Sequence, residues 1–171
     1  AAGEAARGLA LTHRTTPMAA RTLGQQALPT TFGLVAANWF SGLRRAQTRV
    51  AAVRRACTVQ YGGAAGTLAA VYPHGPAIAA ALADELRLVR QDAPWHTDRT
   101  AIADIACSLG IAAGTIGKIA QDIVSMSATE LGEVSEDAPG GSSAMPHKRN
   151  PVAAVTARAA ARRIPGAVAT V

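Results

Sequence analysis

The chain has 171 residues, of which 49% are hydrophobic but only 4% aromatic, and it carries a formal net charge of +6. That length is one domain's worth and suffices for a hydrophobic core; no run of eighteen uncharged apolar residues occurs, so no membrane span is expected. Cys57 and Cys107 stand far apart without metal-ligand spacing and read as free thiols, and the four histidines and scattered acids offer no metal cluster.

The charge is unevenly placed. No acidic residue falls between Glu4 and Asp84, whereas eight arginines do. A nucleic-acid surface is the obvious reading of such a basic stretch. Against it, the arginines are spread along helical sequence with no interleaved aromatics and no nucleic-acid motif. A solvated helix face with some attraction for a small polyanion explains the charge more economically. The opening Ala1-Ala2-Gly3-Glu4 begins no apolar signal segment, and a cytoplasmic protein without a nucleic-acid or membrane partner is expected.

In chain order, the first long helix is expected over residues 30–58, just after Pro29. Leu43, Ala46, Val50, Val53 and Cys57 mark its buried side, while Arg44, Arg45, Arg49, Arg54 and Arg55 mostly face away. The glycine-rich stretch 62–66 is either a flexible turn or a tight helix contact. A shorter helix spans about 75–89, and residues 92–95 connect it to the next. Ile102, Ile105, Leu109, Ala112, Ile116, Ile119, Ile123 and Met126 then alternate spacings of three and four. That stripe predicts a helix over 98–131, about 50 Å long, capped by Thr97 or Asp98. Gly110, Gly114 and Gly117 inside it read as sites of close backbone approach. The last segment, from Pro151, is alanine-rich and helical until it meets Pro165-Gly166. No strand is expected. The chain reads as all-α, a bundle of long helices.

One run bears chemistry. Residues 141–151 are Gly-Ser-Ser-Ala-Met-Pro-His-Lys-Arg-Asn-Pro. Such a loop holds a serine oxygen near a substrate proton while cationic and amide donors grip a carboxylate. Of seventeen basic residues only Lys118 and Lys148 are lysines, so a lysine between His147 and Arg149 suggests that a compact ammonium is wanted there. Asn150 as a helix cap with Pro151 at the first helical position accounts for the end of the run but not for the rest.

The run resembles the Gly-Ser-Ser-x-Met-Pro-x-Lys-x-Asn-Pro signature of the fumarase/aspartase superfamily, with every fixed position present. The resemblance implies that Ser142, with Ser143 beside it, transfers the proton alpha to a carboxylate. It also implies that Lys148 and Asn150 bind that carboxylate and stabilise the aci-carboxylate formed when the proton leaves. A serine is a weak base unless strong donors activate it, and the helix N-terminus expected at Asn150 is one source of them. Residues 21–31 resemble a second motif, Thr-His-x-Gln-x-Ala-x-Pro-Thr, through Thr22, Gln25, Ala27, Pro29 and Thr30. The histidine that serves many lyases as general acid is replaced by Leu23, which cannot donate a proton. That departure is similar to the carboxymuconate cycloisomerase branch and argues against adenylosuccinate lyase chemistry.

Two further segments resemble that branch. Residues 11–18 bring His13, which is either a proton donor or acceptor near neutral pH or a capping histidine. Residues 94–99 bring His96 and Arg99, which either form an anion pocket or merely start a helix. Glu133, in a Thr-Glu-x-Gly-Glu stretch, either orients a histidine or is structural. The resemblance implies a small polycarboxylate substrate, no cofactor, and active sites shared between subunits of a homotetramer. It also implies that residues 1–29 end an N-terminal helical domain and 30–171 form part of the central bundle. Both ends stop within apparently helical or apolar pattern, so a piece of a longer protein is expected, inactive by itself.

Overall fold

A β-hairpin precedes the first long helix. The computed structural model describes residues 1–171. Its elements are α1 (Ala2–Thr12), β1 (Pro17–Thr22), β2 (Gln25–Thr31), α2 (Phe32–Ala56), α3 (Gly75–Leu86), α4 (Thr100–Met126) and α5 (Val152–Ala169), with a short 3-10 turn at Ala69–Val71. Helix dominates as expected, but the expectation of no strand is corrected. The two strands pair antiparallel from Pro17 opposite Thr31 to Thr22 opposite Gln25. They lack the alternating apolar pattern that marks strands in a sequence, and Thr22, Thr30 and Thr31 are their only β-branched residues. Turn geometry makes them instead: Leu23 and Gly24 both have positive φ, 50° and 78°, as a two-residue hairpin turn of type I′ requires.

The chain divides into two compact units, and the first comprises Ala1–Gln47 with Ile111–Pro165. Its core is built from Ala6, Ala36, Trp39 and Met126, with Phe32, Leu43, Ile119 and Ile123 packed against them. Small residues let helices come close. A Cβ added at Gly33 would lie 2.6 Å from both the Arg14 Cα and the His13 carbonyl oxygen, so the end of α1 and the start of α2 meet only across a glycine. Gly117 on α4 likewise faces the Ala161 methyl of α5, but Gly114 has nothing within 4 Å and is no contact site. The buried Trp39 indole donates to Asp122 at 2.7 Å, and Lys118 pairs with the same carboxylate.

The heptad stripe on α4 is only partly an inward face. Met126 is buried, yet Leu109 and Ile116 are about half exposed, as is Ile111, while Ser108 and Ala120 are the other buried positions. By length and mean hydropathy, 1.5 over its best window, α4 is apolar enough to cross a membrane. The Lys118 and Asp122 pair and the Trp39 bond place polar partners along it. The helix stops at Met126 rather than at 131. Gly132 takes a positive φ of 58° and the Glu133 amide returns to the Met126 carbonyl at 2.9 Å.

The second unit comprises Thr48–Gly110 with Gly166–Val171. The arginines of α2 in both units are exposed, as expected. Val59, Ala79 and Ala83 are buried here. A single parallel bridge joins Thr58 to Val89, and the Gln91 amide both accepts from the Tyr61 N–H (2.7 Å) and donates to its carbonyl (2.6 Å). Asp98 begins α4 as foreseen, its carboxylate accepting from the amide (2.9 Å) and hydroxyl (2.7 Å) of Thr100. Those bonds hold its carboxyl below the usual range, and Arg90 does the same to Asp84. Gly110 approaches Val168, whose γ-carbon would be 3.1 Å from an added Cβ.

α5 corrects another expectation. Asn150 does not cap it; the Glu136 carboxylate does, accepting from the amides of Ala153 (3.2 Å) and Ala154 (2.8 Å). A negative charge on those free amides is what a helix N-terminus favours. Pro165 does not end the helix either but lies inside it, where it forgoes one backbone bond.

Three outcomes follow from these contacts. Gly33→Ala is expected to destabilise the fold by about 1–3 kcal/mol in urea unfolding, because the added methyl meets the backbone of His13 and Arg14. Glu136→Ala is expected to cost about 1 kcal/mol and to speed hydrogen exchange at Ala153 and Ala154. Asp84 and Asp98 have depressed pKa values when folded, so the stability they lend is complete above their ordinary value of 3.8 and is lost as pH falls below it. A midpoint of unfolding that drops less between pH 5 and pH 2.5 in the Asp98→Asn variant checks this.

Candidate functional site

The serine-rich run forms a loop closed at its neck. Gly140 and Asn150 exchange both backbone bonds, at 2.8 and 2.9 Å, and the Asn150 side-chain amide donates to the Gly141 carbonyl at 3.2 Å. Inside the neck, the Met145 amide donates to the Ser142 hydroxyl oxygen at 3.2 Å, and the Lys148 amide donates to the Met145 carbonyl at 3.0 Å. Pro146 and the paired glycines Gly140 and Gly141 supply the sequence reason for so tight a path. A Cβ at Gly140 would meet the Val152 side chain, so a larger residue in the neck requires that side chain to turn away.

Ser142 is half-buried; Ser143, His147, Lys148 and Arg149 are exposed. An N–H aimed at a hydroxyl oxygen favours the deprotonated form, which is the help a serine base needs. That donor is Met145, a loop amide. The expected source, the N-terminus of α5, is occupied by Glu136 and does not serve Ser142. Lys148 forms no ion pair within the chain, so its ammonium is available to an anion.

Thr22 and Gln25 face each other across the hairpin, one residue either side of the turn. A bulge makes this possible: Ala27 and Leu28 of β2 oppose the single Ala20 of β1, which shifts the register so that the turn closes with two residues. Leu23, at the position of the missing histidine, is fully exposed at the tip. Arg21 reaches from this hairpin to Glu133, both guanidinium nitrogens lying 2.7 Å from a carboxylate oxygen. The pairing raises the Arg21 pKa further above its ordinary value.

His13 follows α1 and is half-buried, its Nδ1 3.1 Å from the Thr16 hydroxyl and its ring edge-on to Phe32. It lines a cavity of about 680 Å³ with Phe32, Trp39, Glu133 and Asp137. A neighbouring cavity of about 360 Å³ is walled by Glu133, Glu136, His147 and Arg149. Ser142, Ser143 and Lys148 line neither. The structure thus pairs Thr22 with Gln25 and gathers Ser142, Asn150 and Lys148 on one loop, and it keeps His13 in a separate hollow.

His96 and Arg99 belong to the second unit. His96 rests against glycines: a Cβ at Gly66 would be 3.0 Å from its Cε1, and one at Gly62 3.4 Å from its Nδ1. Gly66 has φ of 72°, so the glycine-rich stretch is a turn that cradles the imidazole. Trp95 anchors the segment by donating its indole N–H to the Val59 carbonyl at 2.8 Å. Arg99 is exposed at the head of α4. Sequence reasoning passed over Arg21, Glu136 and His147. The first two act through partners many positions away in the chain, which no local pattern signals.

A family model described as lyase matches residues 4–166. A 3-carboxy-cis,cis-muconate cycloisomerase from Bradyrhizobium diazoefficiens is 49% identical over 167 residues, covering 95% of this chain and 37% of the relative. A nitrosuccinate lyase from Streptomyces davaonensis is 48% identical, covering 92% of this chain and 35% of the relative. Among solved structures, the 3-carboxy-cis,cis-muconate lactonizing enzyme of Pseudomonas putida superposes with a TM-score of 0.89 at 40% identity, covering 99% of this chain and 38% of that one. The chain therefore spans little more than a third of the length of the relatives it matches. The signature loop, the helices and these likenesses converge, and the chain belongs to the lyase family of the fumarase/aspartase superfamily.

Proposed function

We propose that this chain is part of a 3-carboxy-cis,cis-muconate cycloisomerase acting in protocatechuate breakdown by the beta-ketoadipate route. The observation that carries the reading is the necked loop, which presents Ser142 with an amide donor on its oxygen and carries an unpaired Lys148. In the lactonising direction, a substrate carboxylate oxygen bonds to the beta carbon of a double bond. The alkene electron pair moves toward the alpha carbon and its carboxylate, giving an aci-carboxylate, and Ser142 delivers a proton to the alpha carbon. In reverse, the serine oxygen takes that proton and the carbon–oxygen bond breaks. Lys148 and Asn150 carry the charge of the aci-carboxylate. Thr22, Gln25, His96 and Arg99 bind the other carboxylates, Ser143 assists Ser142, and His13 moves protons to and from solvent.

On this reading residues 1–29 close an N-terminal helical domain, and 30–171 belong to the central bundle of a cytoplasmic homotetramer whose sites draw on several subunits. The half-exposed Leu109 and Ile116 of the α4 stripe support the association, since such apolar positions are covered by other helices. The 171 residues alone are then inactive. A second reading, a lyase acting on nitrosuccinate, is favoured by the 48% identity to a relative of that name. Assay of the intact enzyme on both substrates separates the two.

In the intact enzyme, Ser142→Ala is expected to lower kcat by about 10²–10⁴-fold, the range a positioned proton-transfer group supplies. His13→Ala is expected to lower kcat with KM unchanged. Full activity of the serine variant would sink the mechanism.

A further inference from the structure

The hairpin that carries Thr22 and Gln25 is fastened to the stem of the Ser142 loop by one ion pair. Arg21 and Glu133 are 112 positions apart, yet they meet fork to fork, with two bonds of 2.7 Å. Their side chains are each 22% exposed, unlike the open Arg90 and Asp84 pair at 64% and 60%. Paired bonds in such shelter resist the rotation that makes most surface pairs negligible.

Both ends of the link are fixed. Glu133 hangs from the end of α4 through the hydrogen bond its N–H donates to the Met126 carbonyl, and the left-handed Gly132 before it sets the direction of the chain. Three residues later Glu136 caps α5, so the stem is held on both sides of the turn. Arg21 stands next to Thr22 and opposite Gln26, just beyond the bulge that fixes the register. A shift of the stem is therefore transmitted to the strand ends on which Thr22 and Gln25 sit.

We propose that Arg21 and Glu133 are positioning residues that set Thr22 and Gln25 in the place where they bind a substrate carboxylate. The kinetic part of this inference rests on the function proposed above. The test is a charge exchange in the full-length enzyme, comparing Arg21→Glu, Glu133→Arg and the double exchange. Each single variant is expected to raise KM about tenfold with kcat changed less than about threefold, because the Ser142 loop keeps its own neck. The double exchange is expected to return KM to within about threefold of the parent value. Arg21→Lys, which keeps the charge but not the fork, is expected to fall between, and it serves if a reversal fails to fold. Unchanged KM in the singles, or a double no better than the worse single, overturns the proposal.

Hydrogen exchange at residues 17–31 gives a reading independent of turnover. It is expected to quicken in the single variants and recover in the double. If the parent enzyme fails to lactonise carboxymuconate, the proposed function falls, while the exchange data still decide the pair. Unaltered exchange in the singles would show that the pair positions nothing.

Discussion

The bond between the Trp39 indole and Asp122 is the constraint on which the first unit depends. With aromatics so scarce, Trp39 supplies much of the volume at the centre of a core otherwise made of alanines and a methionine. Burying an indole leaves its N–H in need of an acceptor, and a carboxylate on the neighbouring long helix meets the need at 2.7 Å. The bond fixes how far α4 is rotated against α2. Rotation decides where Met126 ends the helix, and hence where Glu133 and the loop stem begin. A half-apolar, half-ionic contact in the core thus sets the position of a polar loop some twenty residues on.

Small side chains do the remaining spacing. Gly33 lets the end of α1 reach the start of α2, and Gly117 lets α5 lie on α4. These contacts follow from an alanine-rich, aromatic-poor composition, because helices with little bulk between them approach until backbone meets backbone. Where a glycine does not serve such an approach, as at Gly114, it is only a weak point in propensity.

Much of this was legible in the sequence, and the parts that were not share a cause. The helices α2, α3 and α4 were visible because periodicity is a local property; their ends moved by a few residues where a turn such as Gly132 intervened. Asp98 was readable as a cap because its partner is two residues away. The hairpin was not, since Ala, Gln and Pro carry no strand signal and only the positive φ at Leu23 and Gly24 creates it. Glu136 escaped notice because it caps a helix sixteen residues downstream, and Asn150, the local candidate, turned to the loop neck instead. The stripe on α4 named its apolar residues correctly but not which of them this chain buries, since Leu109 and Ile116 stay about half exposed. Of the site, the signature named Ser142, Lys148 and Asn150 together, and the loop keeps them together. The distances that join Arg21 to Glu133 belong to the fold alone.

The neck between Gly140 and Asn150 has a further consequence. It closes with backbone bonds and the Asn150 side chain, so the protein's stability asks little of the side chains it encloses. Folding places no demand on what His147 or Arg149 are. A lineage built on such a loop is free to exchange those side chains and try new substrates without risking collapse. Related enzymes that close a lactone and that cleave nitrosuccinate, with sequences this alike, are what such freedom leads one to expect.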